Sequence, residues 1–268
     1  MGNCIQHKKT KKITMINKLK DIIFALLHRE RVIKISYGKL LEQKVVLITG
    51  ASKGMGLTTA KYLLSKGARL VLMSRNMNEL KNEFSKNTNN VLLIQGDITN
   101  EEDCKAGVAK AIGRFGSVDV LINNAGLFYG KLIEETSSED WDKIMGVNIK
   151  GMFQITREIV PHMKKKGKGL IVNMGSKISH NTNVSMKKVL YATSKYAVEG
   201  FSTTLAKELQ PFGIRVTCLM PATVNTYRHL EAAKYLSPLH IAKTIAFLIE
   251  MEDVNFEGIV VKSVYHNI

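Results

Sequence analysis

Tyr191 and Lys195 stand four residues apart in a stretch with helical patterning, so both side chains project from one face. An ammonium beside a phenol favours the phenolate and draws its pKa from about 10 toward neutrality. Such a tyrosine exchanges a proton with a substrate oxygen as general acid or base. Taken alone, the pair also fits a solvated helix face. A second chemical signal lies far upstream in VVLITGASKGMG, residues 45–56, where Gly50, Gly54 and Gly56 follow an apolar, β-branched run. Glycines at this spacing let a backbone turn sharply, approach a pyrophosphate closely and pack the next helix on its strand, with phosphates at the helix N-terminus. The reading is a dinucleotide site, with an ordinary strand-to-helix turn as the plain alternative.

The elements that would position these residues alternate. Residues 45–48 read as a strand buried on both faces, because the apolar run is unbroken. Further strands are expected at 69–74, 91–95, 118–122, 170–174, 214–219 and 258–261. Helical patterns occupy 58–66, 79–86, 101–114, 141–166 as one or two helices, 191–210 and 239–251. Strands alternating with helices of this length imply right-handed crossovers and a parallel sheet covered on both faces. The expected architecture is α/β: one domain over residues 43–268, a doubly wound parallel sheet of seven strands, after an N-terminal extension over residues 1–42.

Composition narrows the function classes. With 268 residues and 45% hydrophobic content the chain buries a full core. Cys4, Cys104 and Cys218 are odd in number and far apart, which suggests neither a disulfide framework nor a metal site and fits a reducing compartment. The net charge of +16 raises nucleic acid as a partner. Its distribution argues against a specific one: ten Lys/Arg against three Asp/Glu fall in residues 1–42, and the rest is spread out apart from Lys164, Lys165, Lys166 and Lys168.

The extension opens Met1-Gly2-Asn3-Cys4, as an N-myristoylated chain with an adjacent palmitoylation site opens, although position six is Gln6 rather than Ser or Thr. Lys8, Lys9, Lys11 and Lys12 follow. One acyl chain holds a membrane only marginally, and a second chain or a basic patch secures it. Ile13, Ile16, Leu19, Ile23, Leu26 and Leu27 then recur at helical spacing among basic residues, the pattern of a basic amphipathic helix. Its longest apolar run, 22–27, is far shorter than the roughly 20 residues that span a bilayer. The expectation is a cytoplasmic protein held peripherally on the cytoplasmic face of a membrane through residues 1–35. A solvated basic tail, or a helix docked on the chain's own body, is the alternative.

TGASKGMG at 49–56, NNAG at 123–126, a strand-end Ser176 and YATSK at 191–195 occur in this order, with Asn148 and Pro221 between and after them. By these motifs the chain resembles the short-chain dehydrogenases/reductases from about Lys44 to Ile259. The resemblance implies a Rossmann fold and an oxidoreductase. In it Tyr191 is the general acid, Lys195 also holds the nicotinamide ribose, Ser176 hydrogen-bonds the substrate carbonyl, and Asn148 holds a water in the proton relay from Lys195. Ser179 is a near competitor of Ser176, because the gap to Tyr191 is longer than the family's. For the cofactor the resemblance implies Gly50, Ser52, Lys53, Gly54, Met55 and Gly56 at the pyrophosphate turn and Asp97 with Ile98 at the adenine edge. It adds Asn124, Ala125 and Gly126 after the fourth strand, Asn123 as a support of the sheet, and Pro221, Val224 and Thr226 (or Thr223) near the nicotinamide. It also implies a homodimer or homotetramer paired through residues 141–166 and 190–210.

Cofactor choice follows from charge. Enzymes for NAD place an acid about 20 residues after the glycines, and those for NADP place a cation there. Here the second strand ends Met73-Ser74-Arg75 without an acid, and Lys53 adds a cation inside the glycine loop. The expected cofactor is NADP(H), with Arg75 and Lys53 gripping the phosphate and Ser74 also at the cofactor. Because the cellular NADP pool is mostly reduced, the family-level expectation is reduction of a carbonyl to an alcohol.

Two departures leave the substrate open: Pro221 is followed by Ala222 where the family commonly has glycine, and the closing segment 225–236 is short. One reading is a tethered reductase of a lipophilic ketone or aldehyde. A second is a dehydrogenase of a small hydroxy acid, and a third a non-catalytic NADPH-binding scaffold at a membrane, against which the complete set Asn148, Ser176, Tyr191 and Lys195 argues.

Overall fold

The computed structural model describes residues 41–180, 186–226 and 235–264. The expectations for Gly2, Cys4 and residues 13–35 therefore lie outside the described residues, as does most of the segment 225–236. Among the described residues no helix is long and apolar enough to cross a membrane.

Seven parallel strands form one sheet in the order β3-β2-β1-β4-β5-β6-β7. They are β1 (Val45–Thr49), β2 (Arg69–Ser74), β3 (Val91–Gln95), β4 (Val120–Asn123), β5 (Gly169–Met174), β6 (Ile214–Pro221) and β7 (Gly258–Val261). Between them run α1 (Gly54–Ser65), α2 (Asn78–Phe84), α3 (Glu101–Phe115), α4 (Ser138–Met145), α5 (Met152–Lys166), α6 (Val189–Leu209) and α7 (Pro238–Glu250). The doubly wound α/β architecture expected from the alternation is the one observed.

The unbroken apolar strands are explained by two cores. Val46 and Ile48 of β1 pack with Ala60 and Leu63 of α1, Leu80 of α2 and Ile245 of α7. Val45 and Leu47 face the other way, onto Val108 of α3, Ile155 of α5 and Ala206 of α6. Each residue of β1 is thus inside on one side or the other, so alternation of polar and apolar residues is absent from it. Leu41, just upstream of β1, is already fully buried in the first core.

Local signals set the helix ends. Asn100 accepts from the backbone N–H groups of Glu102 and Asp103 to start α3, and Gly116 ends it in a left-handed conformation at φ 79°. At the far edge Arg215 of β6 donates through Nη1 to the carbonyls of Leu248, Met251 and Val254, tying the end of α7 to the sheet. The helical stretch predicted at 141–166 proves to be α4 and α5 joined by a π-helical turn, Gly146–Gly151. A π turn accommodates one extra residue and recurs at functional sites.

Candidate active site

The strand order reverses between β1 and β4, and the crevice beyond their carboxyl ends is where an α/β sheet takes ligands. The glycine loop leaves β1 there. Gly50 and Gly54 have φ of 62° and 55°, values that suit residues without a Cβ. A Cβ on Gly50 would stand 2.7 Å from the Cα of Ala125, and one on Gly56 2.5 Å from Asn124 Nδ2 and from the Gly50 carbonyl. Asn124 fastens the loop from the neighbouring strand, donating through Nδ2 to the carbonyls of Thr49 and Gly50, each at 3.0 Å. Thr49 Oγ1 in return accepts from the N–H groups of Asn124 and Ala125 at 3.1 and 3.2 Å.

These contacts hold open a cleft of about 520 Å³. Of the residues expected at a dinucleotide, Gly50, Ser52, Lys53, Gly54, Met55, Ser74, Arg75, Asp97, Ile98, Asn124, Ala125, Gly126 and Thr226 line it. Gly56 is buried directly behind the loop. Pro221 is instead the last residue of β6, buried beside Val261 of β7, and Val224 bridges to Leu236. Neither is among the residues that line this cleft. Met73, Asn76, Gly96, Leu127 and Val147 also line the cleft and were not expected. They do so largely through their position in the fold, which residue type does not reveal.

At one end of the cleft Arg75 Nη1 lies 3.5 Å from Asp97 Oδ2. Burial alone would raise the Asp97 carboxyl, but hydrogen bonds from Thr99 and the Arg75 charge outweigh it and hold it below its ordinary range. No acid follows β2, as the sequence indicates, and Lys53 is exposed at the start of α1.

At the other end the side chains expected to do chemistry converge. The π turn carries Asn148, which is buried. Its Nδ2 donates to the Leu127 carbonyl at 3.0 Å and to Ser194 Oγ at 2.9 Å, and its Oδ1 accepts from Leu127 N–H at 2.7 Å. Both amide protons are committed, so the carboxamide is a brace for the loop after β4. A Cβ placed on Gly126 would lie 3.5 Å from Asn148 Oδ1 and 3.8 Å from Lys195 Nζ, which puts both against the cleft wall.

Lys195 is buried and donates to the Met174 carbonyl at 2.7 Å, with its Nζ 5.7 Å from the centre of the Tyr191 ring. Burial pulls its pKa down to about 8, against a smaller opposing influence of Cys218. Burial raises the Tyr191 phenol above its ordinary range, and a hydrogen bond with Ser176 offsets this only in part. The lowering expected from the lysine is therefore not found: loss of solvent dominates, and the ammonium is turned to the end of β5. A protonated phenol at neutral pH is the form a general acid requires.

The two candidate serines separate clearly. Ser179 is buried, donating to the Ser176 carbonyl at 2.9 Å and lying 3.7 Å from Met220 Sδ. Ser176 is half-buried, and its hydroxyl accepts only the Ile178 N–H, at 3.3 Å, besides meeting Tyr191. Asn123 lies below in the sheet, donating to Thr156 Oγ1 and Asn173 Oδ1 at 2.9 and 2.8 Å. Cys104 and Cys218 are buried free thiols, and no cluster of metal-ligating side chains occurs among the described residues.

Comparison with known proteins accords with this geometry. Residues 44–234 match the family model described as short chain dehydrogenase. The chain is 32% identical over 238 residues to the 3-oxoacyl-[acyl-carrier-protein] reductase of Thermotoga maritima, covering 82% of this chain and 96% of that protein. Among solved structures, a 3-ketoacyl-(acyl-carrier-protein) reductase from Brucella melitensis complexed with NADH superposes with a TM-score of 0.77 at 30% identity, covering 84% of this chain and 99% of that one. An alcohol dehydrogenase from the archaeon Thermococcus sibiricus complexed with 5-hydroxy-NADP superposes with a TM-score of 0.76 at 30% identity, covering 84% and 98%. A glycine loop braced by Asn124, with Lys195 behind Gly126 of the cleft wall and Tyr191 beside Lys195, accords with a nicotinamide-dependent oxidoreductase, and the chain belongs to the short-chain dehydrogenase/reductase family.

Proposed function

We propose that this protein is an NADPH-dependent reductase that converts a ketone or aldehyde to an alcohol. The observation that carries the reading is the half-buried Tyr191 ring, 5.7 Å from the Lys195 Nζ that adjoins Gly126 in the wall of a cleft where Arg75, and no acid, follows β2. The cleft fits a dinucleotide because a glycine turn, with Gly50 and Gly54 at positive φ, lines it at the N-terminus of α1. Gly50 and Gly54 would admit the pyrophosphate, Arg75 and Lys53 the 2′-phosphate, and Lys195 the ribose near the nicotinamide. A bound reduced nicotinamide supplies hydride to the carbonyl carbon. Ser176 orients the carbonyl oxygen by hydrogen bond, and Tyr191 gives that oxygen its proton as negative charge develops there. Lys195, whose Nζ is 5.7 Å from the ring centre, would stabilise the phenolate left behind by turning from the Met174 carbonyl toward it, until solvent returns the proton. NADPH oxidation by purified protein against carbonyls from small keto acids to long-chain ketones tests this. Turnover abolished by Tyr191→Phe is expected; NADH used as efficiently as NADPH would overturn the cofactor assignment.

The sequence of residues 1–35 supports peripheral attachment to an anionic membrane through acylated Gly2, acylated Cys4 and the lysines that follow. Fractionation of cells expressing Gly2→Ala, with labelled myristate, tests it: label and membrane recovery both disappear if the reading is right. Self-association through α4, α5 and α6 is supported by Trp141, Phe153 and Tyr196, large apolar side chains left exposed on those helices. Light scattering after gel filtration distinguishes dimer or tetramer from monomer.

A further inference from the structure

The Phe128 ring stands perpendicular to that of Tyr191, 4.9 Å from centre to centre, yet Phe128 is 60% exposed. Burial of an aromatic ring is strongly favourable, and here much of that stabilisation is forgone. The loop that carries it is fastened on both sides. Leu127 is held through its N–H and its carbonyl by the Asn148 amide, at 2.7 and 3.0 Å. Tyr129 Oη donates to the Asp140 carbonyl at 2.5 Å, and Lys131 Nζ meets the Asp140 carboxylate at 2.6 Å. Gly130 backs onto the Lys187 carbonyl so closely that a Cβ would come within 2.7 Å of it. One aromatic ring is therefore held in place beside the reacting phenol with its surface uncovered. Across the contact between Gly130 and Lys187, Met186 and Val189 are also uncovered, 78% and 52% exposed.

We propose that Phe128 determines substrate specificity by taking the apolar arm of a lipophilic ketone or aldehyde, with Met186 and Val189 as the outer wall. This rests on the carbonyl-reductase reading and narrows it. Binding against an apolar wall grows with the apolar area covered, so the site reads chain length. Lys187 and Lys188 adjoin the same wall and would suit a small keto acid, which makes that substrate the opposing arm of the test.

The experiment measures kcat/KM with NADPH for 2-butanone, 2-hexanone, 2-decanone and pyruvate in the wild type, Phe128→Ala and Phe128→Leu. Calorimetric binding of 1-octanol to the same three proteins loaded with NADP accompanies it. The wild type should improve with chain length. In Phe128→Ala the preference for 2-decanone over 2-butanone should fall about ten- to a hundredfold, the factor that burial of one large apolar side chain carries. Phe128→Leu should restore most of it, and octanol binding should follow the same order. An equal loss on every ketone would make Phe128 merely a support for Tyr191 and overturn the proposal, as would a preference for pyruvate or octanol binding indifferent to Phe128→Ala. If no carbonyl is turned over, the reductase reading fails by itself, and the octanol titration still decides the role of Phe128.

Discussion

Lys195 donates to the Met174 carbonyl at 2.7 Å, anchoring its side chain to the last residue of β5. With its pKa drawn down to about 8 by burial, the ammonium is the first of the site's groups to change charge as pH rises. The Tyr191 phenol, raised by burial, keeps its proton longer. For reduction, kcat/KM should hold through neutral pH and decline above about 8, since that parameter reports the free enzyme. A profile flat to pH 10 would show that the Lys195 charge is not needed.

The same lysine affects stability, with a sign opposite to that of a salt bridge. Its pKa is about 8 folded against 10.5 for a solvated lysine. Below pH 8 both states hold the proton, and keeping the charge buried costs on the order of 3 kcal/mol. Between pH 8 and 10.5 the unfolded state binds more protons, so this cost shrinks as pH rises. Lys195→Met removes the charge but leaves the Met174 carbonyl without its donor, a loss of about 1 kcal/mol. Urea denaturation should find the variant about 2 kcal/mol more stable than the wild type at pH 7, with the difference vanishing or reversing by pH 10.5. A variant less stable at pH 7 would count against a buried charge.

Two glycine substitutions should part company. Gly56→Ala would drive its Cβ to 2.5 Å from Asn124 Nδ2 and the Gly50 carbonyl. The loop must move, so NADPH affinity should fall at least tenfold, with a stability loss of about 1–3 kcal/mol. Gly113, inside α3, has nothing within 4 Å of a new Cβ. Gly113→Ala should add about 0.5–1 kcal/mol by helix propensity and leave NADPH binding alone. Thermal melts and fluorescence titration measure both.

Arg75→Ala should separate the two nicotinamide cofactors. Losing a charged hydrogen bond to the 2′-phosphate costs about 1.5–3 kcal/mol, so KM for NADPH should rise about ten- to a hundredfold while that for NADH stays near its original value. Equal effects on both would assign Arg75 to its pairing with Asp97 alone.

Most of the fold was legible because its strands are continuous apolar runs, and β2, β3 and β7 have the bounds that their sequence pattern predicts. The glycine turn and the pair on α6 were legible for the same local reason. What escaped is nonlocal. The π turn needs one residue more than α4 and α5 can absorb, a matter of how Asn148 meets Leu127 rather than of composition. Thr49 opens the glycine motif without a role that its spacing reveals, and its hydroxyl is used only because β4 brings Asn124 beside it. The raised phenol of Tyr191 likewise comes from burial, which no spacing of tyrosine and lysine encodes.

The brace from Asn124 to the carbonyls of Thr49 and Gly50 also bears on the order of events at the ribosome. A nascent chain that has released β1 and α1 holds every glycine of the nucleotide turn, yet not the residue that secures it, which is translated 74 residues after Gly50. Parallel pairing of β1 with β4 is a long-range closure, slow to form and entropically costly. A nicotinamide cofactor would therefore have little to grip until synthesis has passed Asn124, and could stabilise only chains close to or beyond half their full length.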